Sequence, residues 1–296
     1  MTHHLTEGGL PYCVEFIPTS RAPTPVGDLA LNRLARFPRI PDLLTTANLA
    51  CGVASILLAS QGQLTIACGL IFLAAVFDVF DGLAARALGG GTPLGAQLDS
   101  LADMVSFGVA PGMLMYFAFQ QGTTWSREDG VFLGFSNESG SSLTIQALAL
   151  VIPIASAWRL ANFNIDTRQI HGFLGLATPA NALFWASIPL IVGSGIVHHG
   201  PGALKLQLLF SQYFTSRPLT GLVTAIVLAV LMLSELPLPS FKFKHKGWKG
   251  NEVIFLLIGI GALLVLLYGV LAVPLILIIY LLSPLWGKLF KKPSIT

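Results

Sequence analysis

The chain has 296 residues, of which 54% are hydrophobic and 10% are charged, and its formal net charge is +3. A soluble domain usually contains about 25% charged residues, so this composition and a mean hydropathy of +0.74 exclude a soluble globular protein. They also exclude a disordered chain, and the small net charge gives no indication of nucleic acid binding. The apolar stretches have helix length, which predicts an all-α integral membrane protein rather than a β-barrel.

The first predicted element lies in the amino-terminal segment 1–40, which is polar and rich in proline. From Val26 to Phe37 a short amphipathic helix is possible, with Ala30 and Leu34 on the face that contains Phe37. Such a helix would lie on the membrane surface beside the first span. A disordered tail is an equal alternative, because the segment is short.

Apolar length then predicts about eight spanning helices, near residues 43–60, 64–88, 95–118, 143–163, 179–198, 217–236, 252–268 and 270–286. Gly269 is expected to mark a tight helical hairpin between the last two. The run from Gly89 to Pro93 contains glycines and a proline that stop helices, so it separates the second span from the third. Residues 41–178 carry the polar motifs, and residues 179–296 are expected to complete the bundle.

Basic residues near the ends of the spans predict the orientation of the chain. With both termini in the cytoplasm, only Arg127, Lys205 and Arg217 would lie on the outer side. The opposite orientation would place most lysines and arginines outside. We therefore predict a multi-pass protein of the cell membrane whose cytoplasmic bases favour anionic lipid headgroups.

Four aspartates, Asp78, Asp81, Asp99 and Asp103, lie inside the second and third predicted spans. An ionised carboxylate in the hydrocarbon layer costs several kcal/mol. The first two are three residues apart and the last two are four apart, so each pair shares one helix face. If the glycine-rich connection lies at the membrane surface, both pairs reach a similar depth and can face one volume.

Four anions that converge in this way need cations between them. Carboxylate oxygens are hard ligands that suit Mg²⁺ or Mn²⁺, and four of them are enough to bridge two ions. Buried aspartates that are protonated or paired with arginine are the structural alternative. Arg86 is the single basic residue in these two spans and cannot neutralise four acids.

The run from Asp78 to Asp103 resembles the signature of the CDP-alcohol phosphatidyltransferases, D-x2-D-G-x2-A-R-x8-9-G-x3-D-x3-D, without a gap or substitution. Other runs resemble the phosphatidylserine synthase branch of that family: 40–49, Ser106 to Pro111, Arg159 to Asn164, and 173–180. Three residues depart from the branch. Asp42 stands in place of asparagine, Asn162 in place of arginine, and Ala177 in place of a common proline.

The resemblance implies transfer of a phosphatidyl group from CDP-diacylglycerol to the hydroxyl of L-serine, with release of CMP. It implies a catalytic core at 41–178, metal binding by Asp78, Asp81, Asp99 and Asp103, and Asp103 as general base. It further implies a homodimer. The residues expected to hold the CDP head are Thr45, Asn48, Asp81, Gly82, Ala85, Arg86 and Gly95.

Serine must be held by its carboxylate and ammonium groups. Arg159 is the best partner for the carboxylate, because a guanidinium offers two parallel donors. A role for Arg159 as a positively charged residue at the end of a span is the alternative. Ser106, Asn162 and Asn164 are weaker candidates for the serine site.

Other functions remain compatible with parts of this pattern. The same reaction with choline, inositol or glycerol phosphate is the nearest, and a scaffold without catalytic activity is a further possibility. A cation-coupled transporter would also use buried aspartates, but transporters often have repeated halves. Residues 179–286 contain no second carboxylate cluster.

Overall fold

The computed structural model describes residues 39–121, 124–126, 132–134, 142–165, 173–193, 202–215, 218–238 and 252–289. The predicted amphipathic segment within residues 26–37 lies outside this described part. The described chain is almost entirely helical. Its α-helices are α1 Ile40–Ser60, α2 Leu64–Ala87, α3 Pro93–Asp103, α4 Ala110–Gln121, α5 Ser142–Ile165, α6 Thr178–Gly193, α7 Ala203–Thr215, α8 Pro218–Leu233, α9 Glu252–Tyr268 and α10 Ala272–Leu289.

Two short antiparallel strand pairs accompany the helices. Strand β1 (Thr124–Ser126) pairs with β2 (Phe132–Gly134). Strand β3 (Phe173–Leu174) pairs with β4 (Pro237–Leu238), so that Phe173 lies opposite Leu238. The second pair connects the segment before α6 to the segment after α8.

The prediction of an integral membrane helical bundle is confirmed. Five described stretches are long and apolar enough to cross a membrane, namely Ile40–Ser60, Leu64–Ala87, Pro93–Gln120, Leu143–Ile165 and Ile254–Pro284. The bent pair of α7 and α8 gives a sixth if it is counted as one span. This count is below the predicted eight because it takes 252–268 and 270–286 as one stretch and leaves out α6, whose described part has 16 residues where a crossing needs roughly 20.

The stretch Ile254–Pro284 contains a reversal at Gly269. A Cβ atom built on Gly261 would lie 3.7 Å from Ile276 Cδ1. In one straight helix those two residues would be about 22 Å apart. Gly269 has a φ of 53° and begins a 3₁₀ turn, so α9 and α10 form the predicted helical hairpin.

The glycine-rich connection ends α2 and reverses the chain, so that the aspartates of α3 can approach those of α2. Gly89 and Gly90 have φ values of 89° and 109°, which side chains rarely allow. Thr92 then caps α3, because its Oγ1 accepts a hydrogen bond of 2.9 Å from the backbone N–H of Gly95. The predicted helix stop between the second and third spans is therefore present.

A π-helical segment, Met104–Val109, joins α3 to α4 directly after Asp103. Helical segments of this kind occur frequently at functional sites. The side chain of Phe107 is fully buried. It belongs to a core that α1, α2, α4, α5 and α6 share, with Ile71, Leu148 and Trp185 among its members.

Helix α1 approaches the π-helical segment so closely that only glycine fits at the contact. A Cβ atom on Gly52 would lie 2.7 Å from Ser106 Cα. Gly52→Ala is therefore expected to push the two segments apart and to lower the stability by about 1–3 kcal/mol, the usual cost of overpacking a core. Thermal unfolding of the purified protein in detergent measures this effect.

Gly69→Ala in α2 is the matched control, because nothing lies within 4 Å of the added Cβ atom. Alanine favours a helix more than glycine does, so this variant is expected to keep or raise the Tm. Equal Tm values for the two variants would contradict the close contact between α1 and the π-helical segment.

Candidate active site

Three of the four predicted metal ligands come together between α2 and α3. One carboxylate oxygen each of Asp78, Asp99 and Asp103 lies within 4.8 Å of the other two. Asp78 comes from α2, whereas Asp99 and Asp103 are one turn apart on α3. The two helices therefore point their acidic faces at one volume, as the residue spacing predicts.

Asp81 lies beside this group but is directed toward α1. It is 6% exposed, and its Oδ2 accepts a hydrogen bond of 2.8 Å from Thr45 Oγ1. It still interacts electrostatically with Asp78 and Asp99. The structure thus joins Asp81 to the cluster through its charge and to α1 through a hydrogen bond.

A second contact joins α1 to the cluster at Asp103. Asn48 Nδ2 donates a hydrogen bond of 3.1 Å to Asp103 Oδ1. One turn after Asp103, Ser106 Oγ donates a bond of 2.9 Å to the backbone carbonyl of Asn48. Asn48 and Ser106 are both fully buried, so the Asp103 carboxylate is held inside the helix packing.

The donor set fits a divalent cation. Asp99 Oδ1 is buried and has no hydrogen-bond partner, although burying such an oxygen without a partner is costly. The electrostatic partners of Asp78, Asp99 and Asp103 are aspartates of the same group. Three converging carboxylates, one of which has a buried oxygen without a partner, are the ligands that Mg²⁺ or Mn²⁺ prefers.

Four residues expected at the CDP head lie near the glycine-rich connection between α2 and α3. Gly82 has open space, since the nearest atom to an added Cβ is Arg86 Nη2 at 3.9 Å. Arg86 is exposed, and its Nε donates to the Gly82 carbonyl at 2.9 Å, while Ala85 is half-buried. A Cβ atom on Gly95 would lie 3.0 Å from Asp42 Oδ1, so this glycine lets α3 approach α1.

The four candidates for serine binding differ in burial and in hydrogen bonding. Ser106 donates its hydroxyl to the Asn48 carbonyl of α1, and Asn162 is exposed. Arg159 is only 5% exposed, and its Nε donates to the Leu176 carbonyl at 3.2 Å. Asn164 is joined to Ser100 of α3 by a hydrogen bond of 2.9 Å.

Helix α5 lies beside α3 and the π-helical segment. Asn164 bonds Ser100 of α3, and a Cβ atom on Gly108 would lie 3.1 Å from Ser156. Arg159 lies between these two contacting residues along α5, and its Cζ lies 5.7 Å from the centroid of the Phe163 ring.

Sequence reasoning missed two residues around Arg159. Leu176 contributes only its backbone carbonyl, which no residue pattern reveals. Tyr280 of α10 is 8% exposed and interacts electrostatically with Arg159. A single tyrosine in the otherwise apolar run 272–282 was the available signal for it.

The cluster generates a prediction about metal binding. Mn²⁺ added to the full-length protein in detergent is expected to raise the Tm, since a ligand at 100 times its Kd stabilises by about 2.7 kcal/mol. Asp99→Asn should remove most of this shift, because it replaces the oxygen that lacks a partner by a neutral amide. Thermal unfolding across a Mn²⁺ titration, together with electron paramagnetic resonance of free Mn²⁺, measures both effects.

Glu235→Gln removes a carboxylate that is exposed and outside the cluster, so this control variant should respond to Mn²⁺ like the wild type. Identical Mn²⁺ titrations for the wild type and Asp99→Asn would show that these oxygens do not hold a cation.

Comparisons with known proteins agree with this geometry. The family description CDP-alcohol phosphatidyltransferase matches residues 39–210. The chain is similar to proteins named CDP-diacylglycerol–serine O-phosphatidyltransferase from three organisms. It is 30% identical to that of Helicobacter pylori over 220 residues, which cover 74% of this chain and 77% of the relative.

The corresponding identity is 32% over 205 residues for Methanocaldococcus jannaschii, covering 69% of this chain and 76% of the relative. For Bacillus subtilis it is 30% over 206 residues, covering 70% of this chain and 92% of the relative. The matched region contains the complete aspartate signature. It also contains Thr45 and Asn48 of α1, which donate hydrogen bonds to Asp81 and Asp103. The chain therefore belongs to the CDP-alcohol phosphatidyltransferase family.

Proposed function

We propose that this chain transfers the phosphatidyl group of CDP-diacylglycerol to the side-chain hydroxyl of L-serine, giving phosphatidylserine and CMP. The convergence of Asp78, Asp99 and Asp103 inside the membrane helices carries this proposal. The names of the three relatives support serine as the acceptor. A buried acidic site between membrane helices also suits a donor whose acyl chains remain in lipid while its pyrophosphate enters a polar cleft.

We assign Asp78, Asp81 and Asp99 to one divalent ion and Asp78, Asp99 and Asp103 to a second. When bound, Mg²⁺ or Mn²⁺ ions at these carboxylates neutralise the pyrophosphate and stabilise the charge that develops on the leaving CMP. Thr45 orients Asp81 through its hydroxyl, and Gly82 leaves room for the nucleotide beside the helix backbone. Arg86 is positioned at the exposed edge of the same turn.

Asp103 is the proposed general base. A bond forms between the serine hydroxyl oxygen and the phosphorus of the phosphatidyl group, the bond from that phosphorus to CMP breaks, and the hydroxyl proton moves to Asp103. Asn48 fixes the Asp103 carboxylate by donating to Oδ1, which leaves Oδ2 as the oxygen that accepts the proton. Such a positioned base typically contributes about 10²- to 10⁴-fold in rate.

Arg159 is the proposed partner of the serine carboxylate. Its burial on α5, the helix that contacts α3 and the π-helical segment, supports this assignment. Burial increases the strength of a charge-assisted hydrogen bond between a guanidinium and a carboxylate. Asn162, which is exposed, is a weaker candidate for the ammonium group.

The orientation in the membrane is part of the proposal. The excess of lysine and arginine in the predicted cytoplasmic segments supports cytoplasmic termini and an active site that opens to the cytoplasm. This orientation gives the site access to soluble serine and releases CMP into the cytoplasm. Assembly as a homodimer is proposed from the family resemblance.

The reaction is tested directly with isotopically labelled acceptors. The full-length protein in mixed micelles is incubated with CDP-diacylglycerol, Mn²⁺ or Mg²⁺, and labelled L-serine, choline, inositol or glycerol phosphate. Label from serine is expected to enter chloroform-soluble lipid, with one CMP released per lipid formed. Incorporation should require both the donor lipid and the divalent ion.

Incorporation of another alcohol in place of serine would reassign the acceptor and retain the reaction. If no alcohol leads to release of CMP, the protein is not a transferase and the transporter alternative is favoured. Uptake of a labelled divalent metal into vesicles that contain the protein then tests that alternative.

The general base is tested by Asp103→Asn. This variant is expected to lose about 100-fold or more in turnover, because the amide cannot accept the serine proton. It should still bind CDP-diacylglycerol, since Asp78, Asp81 and Asp99 remain. Initial rates and equilibrium binding of the donor lipid separate the two effects.

Asp42→Asn is the matched control, because it makes the same chemical change at a position where the family usually has asparagine. Asp42, at the third position of α1, accepts a hydrogen bond from the Arg39 backbone N–H, and the amide oxygen of asparagine can accept the same bond. Its turnover should therefore stay near that of the wild type, whereas near-normal turnover of Asp103→Asn would remove Asp103 from its role.

A further inference from the structure

The environment of Arg159 is built by a short segment that we call the strap, residues 173–176. The strap includes β3 and lies against the carboxyl-terminal end of α8. The backbone N–H of Leu176 donates to the Leu231 carbonyl at 3.0 Å, and that of Gly175 donates to the Leu236 carbonyl at 2.9 Å. The carbonyls at the end of a helix lack partners within the helix, so the strap satisfies one of them at Leu231.

Gly175 makes this contact possible. Its φ is 74°, and a Cβ atom there would lie 2.6 Å from the carbonyl oxygens of both Met232 and Ser234. The strap therefore lies in backbone contact with the end of α8, and any side chain at this position would push it away. Pairing of β3 with β4 joins the strap to the segment that follows α8.

The same strap reaches Arg159. The Leu176 residue whose N–H binds α8 presents its carbonyl to Arg159 Nε at 3.2 Å. A hydrogen bond at Nε fixes the plane of a guanidinium, because the group is rigid and flat. The position of the strap on α8 thus contributes to the direction in which the guanidinium points.

The Phe163 ring, whose centroid lies 5.7 Å from Arg159 Cζ, also belongs to this environment, and so does Tyr280 of α10. Tyr280 is buried and interacts electrostatically with Arg159, and it comes from the carboxyl-terminal hairpin. The end of α8, β4 and Tyr280 all follow residue 210, where the match to the family ends.

We propose that the strap is a positioning element for the acceptor: by docking on the end of α8 it orients the Arg159 guanidinium toward the serine carboxylate. The inference rests on the proposed function, since it assigns to Arg159 the carboxylate of the serine acceptor. It predicts that damage to the strap weakens serine binding selectively and leaves binding of the donor lipid unchanged.

The test uses Gly175→Ala in the full-length protein. The added methyl group is expected to displace the strap and to raise the serine KM by about tenfold, the effect of weakening one charge-assisted hydrogen bond. The KM for CDP-diacylglycerol should stay within about twofold of the wild type, a difference of less than 1 kcal/mol. Initial rates at varied serine and varied donor lipid give both constants.

Gly202→Ala is the matched control. Gly202 has a φ of 70°, like Gly175, but nothing lies within 4 Å of an added Cβ atom. It therefore carries the same backbone strain without the contact to α8, and both KM values should remain those of the wild type. A rise of both KM values in Gly175→Ala would indicate general loosening and overturn the proposal, as would an unchanged serine KM.

A double variant tests whether the strap acts through Arg159. Arg159→Lys keeps the charge but loses the fixed plane, and it is expected to raise the serine KM by about tenfold or more. Gly175→Ala combined with Arg159→Lys should be no worse than Arg159→Lys alone, because the strap then has no guanidinium to orient. Additive effects would show that the strap acts elsewhere and would overturn the proposal.

Arg159→Lys alone keeps the proposal testable if Gly175→Ala does not fold, because it leaves the strap intact. The serine KM is then expected to rise about tenfold without a matching rise of the donor-lipid KM. If the wild type makes phosphatidylserine and Arg159→Lys leaves the serine KM unchanged, the positioning proposal fails and the reaction stands. If the wild type makes no phosphatidylserine, the proposed function fails instead.

Discussion

The free-energy cost of carboxylates inside a membrane constrains the amino-terminal half of this protein. Oxygens of Asp78, Asp99 and Asp103 lie within 4.8 Å of one another, where like charges repel strongly in a medium of low dielectric constant. The chain compensates this only in part, through hydrogen bonds from Thr45 to Asp81 and from Asn48 to Asp103. Asp99 keeps a buried oxygen without a partner. Cation binding and the packing of these helices are therefore coupled.

Helix α1 supports the cluster because its polar and small residues recur at helical spacing. Thr45, Asn48, Gly52 and Ser55 all lie on one side of α1. Ser55 Oγ donates to the Ala67 carbonyl of α2 at 2.7 Å, and Gly52 admits Ser106. In a membrane, small residues and hydrogen bonds hold helices together where apolar contact alone cannot distinguish a helix from lipid. This side of α1 therefore packs against the neighbouring helices and also orients the side chains of Asp81 and Asp103.

The sequence was sufficient to predict the parts of the site that depend on helical spacing. The convergence of Asp78 with Asp99 and Asp103 follows from spacings of three and four residues across one tight connection. Apolar content did not predict how the later described helices are arranged, since the described part of α6 is short and α7 is bent relative to α8. The bond from Arg159 to Leu176 was also not predictable, since it joins a side chain to a backbone carbonyl through a non-helical segment.

The proposed donor site and the proposed acceptor site differ in the same way. The proposed metal and donor residues project from regular helices, so their spacing in the sequence predicts their positions, and they lie within residues 39–210, which match the family. The proposed acceptor side depends on the strap, whose partners at the end of α8 and on β4 follow that region. A short non-helical segment can shift without disturbing the packing of α2 and α3. Chains that share the donor chemistry can therefore differ in the alcohol they accept through changes that leave the aspartate cluster intact.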